Sequence, residues 1–169
     1  MIPIQNIYYM LSYAFQVLNE QGYKNMATEQ FNNTGELMAA ILEKGIAIQL
    51  KRGLGKEYIL QTEALSSLRG KIDIAESIKT QSMLRKQLIC TYDEFSVNSI
   101  MNRIIKSTVE LLLRSNISKQ RKKNLRKLMV YFSEVDFIDL YTVNWNVQYN
   151  RNNQTYRMLI SICYLVVKG

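Results

Sequence analysis

The chain has 169 residues, 47% of them hydrophobic, which is enough apolar material for one folded domain. No apolar run approaches the eighteen or so residues that span a membrane, and we expect no signal peptide because a basic n-region is missing. The formal net charge is +8, histidine is absent, and only Cys90 and Cys163 carry thiols. This composition excludes the usual general base and the commonest metal ligand, and it favours a reduced, cytoplasmic protein without a zinc site.

The first predicted element is an amphipathic helix within "IPIQNIYYMLSYAF", residues 2–15. Pro3 biases the residue before it towards an extended conformation, and Asn6 is a candidate helix cap. Helical spacing places a set of apolar side chains on one inward face: Ile7, Leu11, Ala14, Phe15 and Leu18. We interpret Tyr8 and Tyr9 as further packing residues of this helix.

A second helix is predicted from Thr34 to about Lys51, and "RGLGK" follows it. Two glycines that follow a helix and not a strand indicate a helix stop more than a phosphate cradle. The chain contains neither G-x-x-x-x-G-K-[ST] nor G-x-G-x-x-G, so the sequence predicts no nucleotide-binding loop.

Three segments in the middle of the chain predict strands. "KEYILQTEAL" at 56–65 and "KQLICTYDEF" at 86–95 alternate at strand periodicity, and "RGKIDI" at 69–74 predicts a short strand that turns into a helical piece near 75–81. We expect a small, mostly antiparallel sheet in which the hairpin of residues 58–74 projects as a finger.

The remaining segments predict helices. After a cap at Ser96 or Asn98, a long helix has its buried stripe at Ile100, Ile104, Thr108, Leu111 and Leu112. A basic helix is expected at about 118–132, and an apolar helix from Thr155 onwards. The apolar ending is consistent with a chain cut at a domain boundary or with a natural short product. Together these elements predict an α+β fold, with several helices packed around the sheet.

Positive charge is concentrated in the second half of the chain. Residues 1–85 carry nine Lys or Arg against eight Asp or Glu, whereas residues 86–169 carry thirteen against six. The densest run, "SKQRKKNLRK" at 118–127, contains six basic and no acidic side chains: Lys119, Arg121, Lys122, Lys123, Arg126 and Lys127. The run predicts binding to phosphates or to an acidic partner surface, and a solvated helix face is the alternative.

The motif of a metal-dependent PD-(D/E)xK nuclease is missing, because no lysine has Asp or Glu two residues before it. Asp93 and Glu94 are adjacent on a predicted strand, so their side chains should point to opposite faces and should not share a metal ion. Serine and cysteine nucleophiles lack a histidine partner. An enzymatic activity contained within this chain is therefore not expected.

Several segments, taken in order, resemble McrC, the partner subunit of the McrBC modified-cytosine restriction system. They are "IPIQNIYYMLSYAF" at 2–15, "KRGL" at 51–54, "LRGKIDIAESIKT" at 68–80, "TYDEFSVNSIMNRIIKSTVELLLRS" at 91–115 and "YRMLISICYLVV" at 156–167. The order and spacing fit, and the resemblance covers nearly the whole chain, residues 1–169, as the N-terminal region of that family.

The resemblance implies a module that docks into a ring of an McrB-like AAA+ GTPase and stimulates GTP hydrolysis, while a separate C-terminal nuclease domain cuts DNA. GTP and Mg²⁺ are then expected on the partner or on the nuclease domain and not on this chain. Polar residues within the family-like motifs or in predicted loops are the candidate ring contacts: Arg52, Arg69, Lys71, Asp93, Asn102 and Arg103. Arg69 and Lys71 are preferred, since the predicted hairpin would carry both. A structural role for each residue and non-specific DNA binding by the basic run are the alternatives.

Overall fold

The computed structural model describes residues 2–23, 30–81 and 85–169. The chain divides into two compact units, one formed by residues up to Leu54 and from Ile100 onwards, the other by Gly55–Ser99. Helices and an antiparallel sheet in these described segments confirm the predicted α+β class. That residues 1–169 act as one functional domain stays a prediction.

In chain order the elements are α1 (Ile4–Glu20), α2 (Thr34–Arg52), β1 (Glu57–Leu65), β2 (Lys71–Ile72), α3 (Ile74–Lys79), β3 (Leu88–Ser96), α4 (Ile100–Leu113), α5 (Lys119–Met129), a short 3-10 helix (Val130–Phe132) and α6 (Gln154–Lys168). The first unit contains α1, α2, α4, α5 and α6, and the second contains the sheet with α3. Within the described residues no helix has the length and apolar character needed to span a membrane.

Helix α6 is the centre of the first unit and packs against α1, α2 and α4. Most of its apolar residues are buried, and Met158, Leu159 and Ile162 are fully buried. Helix α2 approaches closely because it carries Gly45, where a Cβ atom would lie 2.6 Å from Leu159 Cδ2 and 2.7 Å from Met158 Cε. The predicted last helix is therefore a core element, and a glycine permits its contact with α2.

Helix α1 begins earlier than predicted. Pro3 occupies the cap position with extended backbone (φ −58°, ψ 141°), and its carbonyl accepts a hydrogen bond from Ile7 N at 3.1 Å. Asn6 lies inside the helix, so the prediction that it forms the cap is wrong. Proline suits this boundary because its fixed φ is compatible with a helix start.

The two adjacent tyrosines of α1 are on the surface. The side chains of Tyr8 and Tyr9 are 67% and 59% exposed, and their rings contact each other edge to face at a centroid distance of 5.9 Å. Their interpretation as packing residues is wrong, because the buried stripe of α1 consists of Ala14, Val17 and Leu18.

Helix α2 ends as predicted. Gly53 follows its last residue with φ +92°, and its backbone N–H donates to Leu50 O at 3.1 Å. The segment "RGLG" therefore forms a glycine helix stop.

In the second unit, β3 lies between the other two strands, so that the sheet order is β1-β3-β2 and both pairings are antiparallel. The predicted hairpin of residues 58–74 does not form, since β1 pairs with all nine residues of β3 and β2 pairs with β3 only at Lys71 and Ile72. The physical reason is length and burial: β3 carries buried Ile89, Cys90 and Tyr92 and offers a full-length partner, whereas β2 has two residues.

Asn102 of α4 is a core residue. It is 0% exposed, and its Oδ1 accepts a hydrogen bond from the buried Tyr156 hydroxyl of α6 at 2.8 Å. Buried polar groups are retained when their hydrogen bonds are made, so this pair connects two packed helices inside the first unit.

Replacing Asn102 with alanine is expected to lower the free energy of unfolding by about 1–3 kcal/mol, because the Tyr156 hydroxyl loses this acceptor in the core. Urea denaturation followed by circular dichroism measures the change. The double variant N102A/Y156F should recover part of the loss, since both polar partners are then removed. A loss below about 0.5 kcal/mol in the single variant would contradict the assigned role.

Candidate functional site

One face of the sheet in the second unit is exposed to solvent. Side chains alternate along each strand, and the register places one set on the same side: Tyr58, Leu60, Thr62, Lys71, Thr91, Asp93 and Phe95. The hydroxyls of Thr62 and Thr91 lie 3.1 Å apart across β1 and β3, which confirms that the two residues share a face. We call this surface the open sheet face.

Three large apolar side chains stand on the open sheet face. Tyr58, Leu60 and Phe95 are 73%, 68% and 57% exposed. The rings of Tyr58 and Phe95 are 5.0 Å apart, and Lys56 Nζ lies 5.9 Å from the Phe95 ring centroid. Exposed apolar clusters beside polar groups are typical of protein–protein contact surfaces. The geometry therefore suits binding of another macromolecule more than chemistry on a small substrate.

The two charged members of this face belong to the residues predicted from the sequence. Lys71 is opposite Thr91 in the pairing of β2 with β3, and Asp93 is the next residue of β3 on the same face. Lys71 lines a shallow cavity of about 480 Å³ together with Ile72, Asp73, Ile74 and Thr91. Lys71 and Asp93 are both exposed, and thus both are available to a partner.

Arg69 is directed to the opposite side of the sheet. Its guanidinium lies 3.9 Å from the ring centroid of Tyr92, whose side chain alternates with those of Thr91 and Asp93. The hydroxyl of Tyr92 donates to Glu63 Oε2 at 2.8 Å, and this hydrogen bond raises the pKa of Tyr92. The two preferred candidates, Arg69 and Lys71, therefore do not converge, and stacking on Tyr92 gives Arg69 a structural role.

Three further predicted contacts belong to the first unit. Arg52, in the last turn of α2, is exposed and donates to Thr155 Oγ1 at 3.3 Å. Arg103 is half-buried on α4. Asn102 is fully buried, which leaves it without surface for a direct contact. The six candidate ring contacts predicted from the sequence thus lie in two different units, and one of them, Asn102, is a core residue.

Five of the six basic residues at 118–127 share one side of α5. At about 100° per residue, they occupy an arc of about 140°, which we call the basic helix face: Lys119, Lys122, Lys123, Arg126 and Lys127. The opposite side carries Leu125, which is buried, and Leu128, which is half-buried. The basic segment therefore forms an amphipathic helix whose outer side is purely cationic.

Arg121 is the exception in this run. Its side chain is only 19% exposed and points to α2, where it forms ion pairs with Glu36 at 3.3 Å and with Glu43. Glu36 also accepts hydrogen bonds from the backbone N–H and hydroxyl of Ser118 at 2.9 and 3.0 Å. Arg121 therefore joins α5 to α2 and is not available for nucleic acid.

Glu36 has a lowered pKa. Burial by itself would raise it, but the hydrogen bonds from Ser118 and the charge and hydrogen bond of Arg121 outweigh that effect. The carboxylate is consequently ionised when the helices are packed, as its ion pair requires.

Groups suited to metal or nucleophilic chemistry are not assembled in the described part of the chain. No group of three or more Cys, Asp or Glu side chains there could hold a metal ion. Cys90 and Cys163 are both buried, and burial raises the pKa of Cys163 to about 12. A thiol in that environment is a weak nucleophile.

Reasoning from the sequence missed the apolar members of the open sheet face. The alternation of Tyr58 and Leu60 along β1 was visible, but alternation identifies two faces without showing which one is buried. Phe95 joins them through its pairing with Tyr58. The signal present in the sequence is a pair of aromatic residues, Tyr58 and Phe95, in two predicted strands that are able to pair.

Comparisons with known proteins agree with the motif resemblance. The family model of the McrBC 5-methylcytosine restriction system component matches residues 4–169. The type IV methyl-directed restriction enzyme EcoKMcrBC of Escherichia coli strain K12 is 28% identical over 170 residues, which is 99% of this chain and 49% of that protein. The chain thus spans about half the length of this curated relative.

Two solved assemblies have chains with the same fold. The cryo-EM structure of the Thermococcus gammatolerans McrBC complex matches with a TM-score of 0.64 at 22% identity, over 96% of this chain and 50% of that chain. A half-complex from a tetradecameric assembly of T. gammatolerans McrB AAA+ hexamers with bound McrC matches with a TM-score of 0.62 at 22% identity, over 93% of this chain and 41% of that chain. With its residues 4–169 matched by the family model, the chain belongs to the family of McrBC 5-methylcytosine restriction system components.

Proposed function

We propose that this chain is the regulatory module of an McrBC-type restriction system that binds an McrB-like AAA+ GTPase ring and stimulates its GTP hydrolysis. The family match over residues 4–169 is the observation that carries the proposal. A similar fold occurs in assemblies of McrB AAA+ hexamers with bound McrC, which supports a ring as the partner. The module is cytoplasmic and links the ring to DNA cleavage performed by a nuclease domain outside this sequence. GTP and Mg²⁺ are bound by the partner.

The open sheet face provides the main contact with the ring in this proposal. Tyr58, Leu60 and Phe95 supply apolar area that is buried only when a partner covers it. Fully covered aromatic and aliphatic side chains commonly contribute most of the free energy of binding at such interfaces. These three residues therefore determine affinity.

In this proposal Lys71 and Asp93 determine how strongly the chain stimulates GTP hydrolysis by the ring. Both are charged and exposed on the same face, next to the apolar cluster. Phosphoryl transfer is accelerated when a partner neutralises developing charge or orders the residues that position water. Arg69 stacks on Tyr92 and so helps to position β3, the strand that carries Asp93. Exposed Arg52 and half-buried Arg103 remain candidate ring contacts of the first unit.

The experiment separates affinity from stimulation by titrating the cognate GTPase with the chain and measuring GTP turnover. Leu60→Ala is expected to raise the concentration for half-maximal stimulation about tenfold, the equivalent of about 1.4 kcal/mol, with an unchanged maximum. Lys71→Ala is expected to lower the maximal turnover about tenfold with a similar half-maximal concentration, because the transition-state contribution is lost.

Lys79→Ala is the matched control, since Lys79 is also an exposed lysine and lies at the end of α3 in the same unit. It should leave both parameters unchanged. If the wild-type chain neither binds nor stimulates the GTPase, the proposed function is refuted. If Lys71→Ala and Lys79→Ala behave alike, the role of Lys71 is refuted while ring binding stands.

A further inference from the structure

The basic helix face is a surface for which ring binding gives no role. Helix α5 carries no acidic residue, and its five outward cations extend from Lys119 to Lys127. At 1.5 Å per residue these ends are about 12 Å apart along the axis. Phosphates of one DNA strand succeed one another at about 3.4 Å of rise, so a helix of this length faces several of them.

The orientation of this face is set by α2. Arg121 pairs with Glu36 and Glu43, and Leu125 is buried, so α5 cannot rotate its cations inwards. Ser118 caps the helix by accepting a hydrogen bond from Arg121 N at 3.2 Å. No ion pair involves the five outward side chains within residues 2–23, 30–81 and 85–169. Their charge is therefore not neutralised internally by the part of the chain that is described.

The surface suits nucleic acid better than an acidic protein. Cores of protein–protein interfaces are enriched in aromatic residues and depleted in lysine, whereas DNA-binding surfaces are strongly positive. The outward arc of α5 consists of four lysines and one arginine, and its leucines face inwards. The two amide side chains of α5 lie beside this arc and hydrogen-bond to each other, Gln120 Nε2 donating to Asn124 Oδ1 at 2.9 Å. The arc itself therefore offers only cations, which suit contacts to the sugar–phosphate backbone.

We propose that the basic helix face binds the phosphate backbone of double-stranded DNA without sequence preference. The contacts are made by Lys119, Lys122, Lys123, Arg126 and Lys127. Arg121, which the sequence grouped with them, acts only as the anchor of the helix. This proposal does not depend on the role given to the open sheet face, because α5 belongs to the first unit and the open sheet face to the second.

The experiment uses a fluorescein-labelled 30-base-pair unmodified duplex and measures fluorescence anisotropy over a series of salt concentrations. The wild-type chain should bind with affinity that falls linearly on a double-logarithmic salt plot. The variant Lys123→Glu/Arg126→Glu should bind about tenfold more weakly or worse at about 100 mM salt, and its salt slope should decrease by about two, one for each lost phosphate contact.

Lys79→Glu/Arg151→Glu is the matched control, since it changes the net charge equally at two exposed residues outside α5. The proposal requires near wild-type binding for this control. Equal weakening by both variants would overturn it in favour of diffuse attraction by net charge. Lys123→Gln/Arg126→Gln, with thermal unfolding monitored, covers the case in which charge reversal disturbs folding, and it should weaken binding in the same direction.

GTPase stimulation is measured on the same variants. It should be unchanged, so that failure of DNA binding and failure of ring binding are distinguishable. If Lys123→Glu/Arg126→Glu binds DNA normally but loses stimulation of the GTPase, the basic helix face contacts an acidic protein surface and the DNA proposal is overturned.

Discussion

Replacing Arg121 with alanine is expected to lower the free energy of unfolding by about 2–4 kcal/mol at neutral pH. The guanidinium pairs with both Glu36 and Glu43, whose side chains are only 11% and 15% exposed. Its removal leaves two carboxylates close together and largely out of water, which costs more than the ion pairs themselves contribute. Urea denaturation followed by circular dichroism measures the difference.

The matched control is Arg126→Ala, the same substitution on the same helix at an exposed residue of the basic helix face. It should change the free energy of unfolding by less than about 0.5 kcal/mol. Arg121→Lys should fall between the two, because one ammonium group cannot replace a planar fork that serves two carboxylates. Similar losses for Arg121→Ala and Arg126→Ala would contradict the anchoring role of Arg121.

Lowering the pH should reduce the difference in the free energy of unfolding between the wild type and Arg121→Ala. The pKa of Glu36 is lowered in the folded state, so folding is favoured by its ionised form at pH values above the ordinary value of 4.5. That stabilisation is lost as the pH falls below 4.5 through the lowered folded pKa, because the unfolded state binds the proton first. The stability of the wild type should therefore decline more steeply with acid than that of Arg121→Ala.

Gly70→Ala is expected to disrupt the edge of the sheet that carries Lys71. Gly70 has φ +65°, and an added Cβ would lie 2.2 Å from Thr91 O and 2.9 Å from Tyr92 Cα. The left-handed conformation alone costs about 1–3 kcal/mol for a residue other than glycine, and a backbone clash with β3 is added to it. Hydrogen exchange should become faster at Asp73 N, which donates to Ile89 O at 2.7 Å. Stimulation of the GTPase should fall with the displacement of Lys71.

Gly22→Ala is the control that separates the backbone clash at Gly70 from the strain of a positive φ. Gly22 also has a positive φ, +99°, but no atom of the residues that the structure describes lies within 4 Å of a Cβ added there. This control should cost only about 1 kcal/mol and should leave stimulation unchanged. If Gly70→Ala is no more disruptive than Gly22→Ala, the close approach of β2 to β3 does not constrain the sheet edge.

The sheet shows how far reasoning from the sequence can extend. Alternation of apolar and polar residues identified β1 and β3, because a strand with distinct faces requires that period, and the short strand β2 was predicted within "RGKIDI". Pairing was predicted wrongly because adjacent segments were assumed to pair. The partner of β1 is instead decided by which strand matches it in length and burial, and that is β3.

The candidate site shows the same contrast between features set by local sequence and features set by packing. The basic composition of residues 118–127, the missing nuclease motif and the family motifs are properties of the residues themselves, and the sequence alone determined them. The inward turn of Arg121, the burial of Asn102 and the separation of Arg69 from Lys71 depend on neighbours that are distant in the chain. Only the tertiary structure decided them, because whether a polar side chain serves a partner or the core depends on which elements pack against it.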